Sequence, residues 1–186
     1  MQAEKDIHAD ATAVTKNNVL KGLPAHIRSD CRVLVLGSMP GNASLEARRY
    51  YAHPRNRFWP LMQAVLGIDA GSAYAVRLQM LTEGGVGLWD VIGQCERRGS
   101  LDTAIVAGSI VVNPLASVLP TLPQLRAIAC NGAAAAQAWH RYVQPQLPVG
   151  VPAVPVWALP STSPANAAWS LPRLCEAWQP LCDALA

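Results

Sequence analysis

Gly37-Ser-Met-Pro-Gly41 sits directly behind an uninterrupted apolar run, Val33 to Leu36. Gly37 and Gly41 bracket Pro40, so the backbone turns tightly there and leaves amide N–H groups uncovered. If the apolar run is a buried strand, the turn lies at its carboxyl end, where open α/β sheets place their ligands. Behind the turn come Arg48, Arg49, His53, Arg55 and Arg57, interleaved with Tyr50, Tyr51, Phe58 and Trp59. The cations suit phosphates and the flat rings suit bases. Any one of these arginines alone is as compatible with a solvated surface; the density of the run after such a turn points to nucleic acid.

Amides and hydroxyls recur farther along: Ser38, Asn42, Asn56, Asn131, Ser161, Thr162 and Ser163. An Asn side chain presents an acceptor beside two donors, matching the C=O and N–H of a lactam such as the Watson–Crick edge of uracil or hypoxanthine. Asn131, just past an apolar run, suits that reading role, and equally the plain role of a turn residue before Gly132. Several other chemistries lose their support. There is no Gly-x-x-x-x-Gly-Lys-Ser/Thr phosphate loop, no Gly-x-Gly-x-x-Gly fingerprint and no Gly-x-Ser-x-Gly nucleophile elbow. The five cysteines form no Cys-x-x-Cys pair and no Cys/His comb of metal-binding spacing, so neither a metal nor a cofactor is expected.

Four apolar runs must position these groups: Arg32 to Gly37, Val86 to Val91, Leu125 to Cys130 and Val154 to Leu159, the last an edge strand because Pro155 cannot donate to a ladder. Between them the pattern predicts helices from Asn42 or Ser44 to Arg49, Phe58 to about Leu66, Ser72 to Gly84, Asn113-Pro114 to about Leu119, and Asn131-Gly132 to about Tyr142. A last helix runs from Ser170 to about Leu185. His53-Pro54 stops the first helix, because a residue before proline is pushed from the α region. Strands alternating with helices give a parallel sheet by the right-handed crossover rule. The expected fold is therefore a three-layer α/β/α sandwich on a four-stranded parallel sheet. All four carboxyl-terminal loops then meet on one rim, including Gly93 to Asp102, expected as a polar loop.

The 186 residues suit one domain, here 22–186, preceded by a polar arm, 1–21. The net charge of +3 is mild, so the local clustering of basic residues carries more meaning than the sum. No apolar run approaches the roughly 18 residues that read as a membrane span, and a soluble, cytoplasmic monomer is the expectation.

The sequence resembles the uracil-DNA glycosylase superfamily, and within it the hypoxanthine (deoxyinosine) DNA glycosylase branch. The matching pieces are Gly37 to Gly41 with Tyr51-Ala-His-Pro-Arg-Asn-Arg-Phe-Trp59, Asn131-Gly132, and Leu159-Pro-Ser-Thr-Ser-Pro-Ala-Asn-Ala167. Gly87-Leu-Trp-Asp-Val91 through Gly99-Ser-Leu-Asp102 is similar to the family's second-strand region. The likeness spans Arg32 to about Ala168 in the right order.

The resemblance implies a monofunctional glycosylase that cleaves the N-glycosidic bond of a deaminated base flipped out of double-stranded DNA: hypoxanthine, with uracil left open. Mismatch-type relatives carry an Asn in the turn to hold the hydrolytic water, where this chain has Met39. Classical uracil enzymes have a His opening the last motif, where this chain has Leu159. The branch instead implies Asn56 as the water-positioning residue, with Asn131 catalytic beside it by stabilising the departing base, while the residues by themselves leave the water to Asn56 or Asn131; Asn56 also reads as the cap of the Phe58 helix. The resemblance further implies a base pocket of Gly37, Ser38, Met39, Asn131 and Phe58, with Phe58 stacking on the flipped base. Ser161, Thr162, Ser163 and Pro164 would press on the DNA backbone beside Arg55 and His53. The rival reading is a non-catalytic nucleic-acid-binding module on the same fold; a small-molecule nucleoside hydrolase fits the basic-aromatic run less well.

Overall fold

The computed structural model describes residues 19–149 and 153–186. Its centre is β2 (Val33–Gly37), whose five residues are all buried. Side chains alternate along the strand: Leu34 and Leu36 enter one core and Val33 and Val35 the other, so the strand needs cover on both faces. β3 (Val86–Asp90) pairs with it in parallel on one side and β6 (Ala127–Asn131) on the other, while β7 (Val156–Leu159) closes the sheet beyond β6. The order β3-β2-β6-β7 gives the expected four-stranded parallel sheet. Pro155 stands just outside β7, which is an edge strand.

One face of the sheet carries α2 (Phe58–Leu66), α3 (Tyr74–Glu83), α6 (Leu171–Ala177) and α7 (Gln179–Leu185), through Phe58, Leu61, Met62, Leu81, Leu174 and Trp178. The opposite face packs against α4 (Leu115–Val118) and the alanine-rich α5 (Ala133–Ala138), through Leu115, Ala135, Ala138 and Trp139. The sandwich has three layers.

The structure departs from the sequence expectations in four places. Ile92 to Glu96, inside the expected polar loop, is β4, the middle strand of an antiparallel sheet between β1 (Val19–Lys21) and β5 (Val111–Val112). A register shift against β5 between Ile92 and Gln94 breaks the two-residue alternation by which the strand would have been recognised. Three residues of the expected arm thus belong to a sheet, while 1–18 lie outside the described residues, as do 150–152 of the proline-rich link. The last helix is broken at Trp178, because Pro180 in the first turn of α7 has no N–H to continue the ladder. The first helix, α1 (Asn42–Ala47), ends before Arg48, which adopts a left-handed conformation at φ 51°.

Candidate active site

The loops leaving the four parallel strands enclose a cavity of about 190 Å³. Its walls come from Gly37 to Ser44, from Tyr50, Tyr51, His53 and Asn56, from Asp90 at the end of β3 and Asn131 at the end of β6, and from Ser161 to Pro164. Ser100 and Asp102 add a side contributed by the segment after β4.

Two glycines let these loops come together. A Cβ on Gly37 would lie 2.3 Å from Asp90 Oδ1, so only glycine lets the β3 carboxyl approach β2. Gly132 has φ 107° and a Cβ there would lie 2.9 Å from Ser161 Cβ, so glycine is required on both counts. The Gly37 to Gly41 turn is stapled to the β4 segment. Ser38 Oγ donates to Asp102 Oδ1 at 2.6 Å, Arg97 Nη2 to the Pro40 carbonyl at 2.6 Å, and the Asn42 amide to Ser100 Oγ at 3.0 Å. Among the described residues the amides of Ser38 and Met39 donate to no protein acceptor, and they lie on the cavity wall.

A chain of side-chain hydrogen bonds crosses the site. Asn131 Nδ2 donates to Thr162 Oγ1 (2.9 Å), the Thr162 amide donates to Asn131 Oδ1 (2.9 Å), and Thr162 Oγ1 donates to Asn56 Oδ1 (3.0 Å). Asn56 Oδ1 also accepts from the Phe58 amide at 2.9 Å. That bond orients the amide, since reversing it would set one donor against another. Asn56 therefore caps the first turn of α2 with its oxygen, and its Nδ2 donates to no acceptor among the described residues, on a residue that lines the cavity. Thr162, expected to touch DNA, is instead fully buried as the hub of this chain. Asn131 is bonded at both ends of its amide to Thr162, so its first task is to hold the last motif in place.

Phe58 is also placed differently from the expectation. It is fully buried and absent from the cavity wall, with the Tyr51 ring stacked on it at a centroid distance of 4.0 Å and an interplanar angle of 22°. Trp59 and Trp178 meet it edge-on. Of the four rings that the sequence offers to bases, Tyr50 and Tyr51 belong to the cavity wall. Tyr51 is held at φ 55°, between the Trp59 Nε1 bond to the Tyr50 carbonyl (3.2 Å) and the Ala52 amide bond to Ser44 Oγ (3.2 Å).

The arginines separate into two groups. Arg57 reaches the carbonyls of Trp169, Ser163 and Asn166, and Arg97 is buried against Pro40 and Gly99, so both hold loops and cannot track a backbone. Arg48, Arg49, Arg55 and Arg98 are exposed. His53 lines the cavity, with Nδ1 accepting from the Arg55 amide at 3.1 Å, which leaves Nε2 as the protonated nitrogen of the neutral ring. Arg55 itself stands outside the cavity. No group of three or more potential metal ligands exists among the described residues, and no helix there is long and apolar enough to cross a membrane.

The family model described as the uracil DNA glycosylase superfamily matches residues 24–183. The chain belongs to the uracil DNA glycosylase superfamily. As a member of it the protein is a DNA glycosylase, and DNA is its substrate. It is similar to the hypoxanthine DNA glycosylase of Methanosarcina barkeri, with 36% identity over 113 residues covering 60% of this chain and 70% of that one. The hypoxanthine DNA glycosylase of Methanosarcina acetivorans is 34% identical over 115 residues, covering 61% and 72%. The solution NMR structure of a candidate uracil DNA glycosylase from M. acetivorans superimposes with a TM-score of 0.74 at 30% identity, covering 90% of this chain and 98% of that one. In this glycosylase the cavity stands at the carboxyl ends of the parallel strands, where the sequence placed its binding rim.

Proposed function

We propose that this glycosylase is monofunctional and removes hypoxanthine from deoxyinosine flipped out of duplex DNA. The observation that carries the reading is the fixed amide of Asn56 on a cavity walled by Tyr51 and by the unpaired amides of Ser38 and Met39. The names of the two Methanosarcina relatives support the choice of base.

N-glycosidic cleavage needs little from its nucleophile and much from its leaving group, since the sugar becomes oxocarbenium-like as the bond's electron pair moves onto the base. The base stacks on Tyr51, which Phe58 backs from behind. The Ser38 and Met39 amides face the negative charge that develops on the base. Asn56 donates from Nδ2 to a water oxygen and so fixes the water against the anomeric carbon. That oxygen bonds to C1′ as the C1′–N bond breaks, and the water's proton leaves to solvent. Thr162 and Asn131 keep Asn56 from turning. Flipping costs a few kcal/mol of unstacking and is cheapest for a mispaired base, which favours deaminated bases over normal ones.

The test is release of free hypoxanthine from a duplex containing one deoxyinosine, followed by alkaline scission at the abasic site. A monofunctional enzyme leaves the strand intact until alkali is added. Binding without release would favour the non-catalytic module.

A further inference from the structure

Asp90 takes no part in the chemistry above, yet it is the one carboxyl set deep in the cavity. It is 3% exposed at the end of β3. Its Oδ1 fills the notch left by the missing side chain of Gly37, and its Oδ2 has no hydrogen-bond partner. Every neighbour that might have satisfied it is occupied or unpaired. From the loop after α1, the Tyr50 hydroxyl donates to the Pro24 carbonyl at 3.1 Å, while the Tyr51 hydroxyl is itself buried without a partner. From the end of β4, Arg97 donates from Nε and Nη2 to the Gly99 and Pro40 carbonyls, leaves Nη1 unpaired and makes no ion pair with Asp90. From the segment beyond it, Asp102 adds a like charge, and from the β5–α4 junction Asn113 reaches only the Asp90 backbone carbonyl.

Two orphaned polar groups, Asp90 Oδ2 and Tyr51 Oη, thus belong to residues lining one cavity, and a ligand there would complete them. We infer that Asp90 works as a neutral carboxylic acid, its O–H donating a hydrogen bond to the base held in the cavity. Burial, helped by the Asp102 charge, pushes its carboxyl up to about 7 against the pull of the nearby Tyr50 hydroxyl and of the Arg97 charge, so the protonated form is available at neutral pH. An O–H aimed at the base stabilises the charge that arrives as the glycosidic bond breaks. An ionised carboxylate in the same place would repel it. This inference rests on the proposed glycosylase reading.

The apparent second-order rate of hypoxanthine release between about pH 5.5 and 9, measured with the protein well below its Kd for the duplex so that the unbound protein's titration is read, tests it. The parent rate is expected to fall on the alkaline side by about tenfold per pH unit. Asp90→Asn keeps an N–H donor and is expected to stay within about tenfold of the parent at pH 6 with no alkaline fall; Asp90→Ala should be slower by roughly a hundredfold. The fall should persist in His53→Gln, which removes the imidazole on the wall. A readout that needs no variant is proton uptake on binding a duplex whose inosine carries a 2′-fluoroarabino sugar and resists hydrolysis. At pH 8, calorimetry in buffers of different ionisation enthalpy should show uptake of about one proton. An alkaline fall retained in Asp90→Asn, an inactive Asp90→Asn with a parent rate that rises with pH, or binding with no proton uptake overturns the inference and leaves the glycosylase reading standing. A parent protein that releases no hypoxanthine at any pH overturns both.

Discussion

Tyr51 lies flat on Phe58, their centroids 4.0 Å apart, so the buried phenylalanine serves the cavity only through the tyrosine in front of it. The two rings should separate by mutation. Tyr51→Ala removes a stacking surface worth roughly 1–3 kcal/mol, and single-turnover excision is expected to fall about ten- to hundredfold, at a smaller cost in stability than Phe58→Ala. Phe58→Ala empties a fully buried site and is expected to cost roughly 3–5 kcal/mol of stability, seen as a lower urea midpoint.

Thr162 joins Asn131 to Asn56 and is itself buried. Thr162→Val removes the hydroxyl while keeping the volume, leaving Asn131 Nδ2 and one lone pair of Asn56 Oδ1 unsatisfied. A loss of roughly 1–3 kcal/mol is expected, together with a lower excision rate. Thr162→Ser keeps the hydroxyl and should restore both, which a purely steric role for Thr162 would not predict.

Arg55 and Arg57 are two residues apart and should behave oppositely. Exposed Arg55 is expected to contribute to DNA affinity: Arg55→Ala lowers it and reduces the slope of log affinity against log salt by about one unit, with stability unchanged. Arg57→Ala abandons the carbonyls of Trp169, Ser163 and Asn166, and should lower the urea midpoint before any effect on DNA can be measured.

The Asp90 carboxyl also predicts the direction of pH-dependent stability. Its value is about 7 when folded, against about 4 in the unfolded chain, so the folded state holds the extra proton between those limits. The stabilisation is complete below about pH 4 and is lost as pH rises through 7, by at most on the order of 4 kcal/mol. Urea midpoints at pH 5 and pH 8 should differ in that direction for the parent, and this contribution should vanish in Asp90→Asn.

What the sequence reveals and what it hides follow from range. The Gly37 to Gly41 turn, the position of Asn56 after it and the uninterrupted apolar run of β2 are local patterns, and the structure has the strand, the turn and a cavity-lining Asn56 there. Which of Tyr51 and Phe58 reaches the cavity depends on helices α2 and α6 packing beneath them, far away in the chain. Arg57 and Arg97 are indistinguishable from Arg55 and Arg98 until the carbonyls they hold are brought near by folding. Thr162 read as a surface hydroxyl because its partners, Asn56 and Asn131, are distant in sequence. Asp90 stands out only once folding crowds it against Gly37 and leaves its second oxygen unpaired. The strand β4 escaped notice because its bulge erased the period that marks a strand.

The central claim is that Asn56, held by the Phe58 amide and Thr162, places the water that releases the base from this cavity. Its most direct test is the single-turnover rate of hypoxanthine release from a deoxyinosine duplex by the parent protein and by Asn56→Ala, with binding to the same duplex measured in parallel. The account predicts a loss of about a hundredfold or more in rate with binding within a few-fold of the parent. An Asn56→Ala protein that binds equally well and releases hypoxanthine at the parental rate would contradict it.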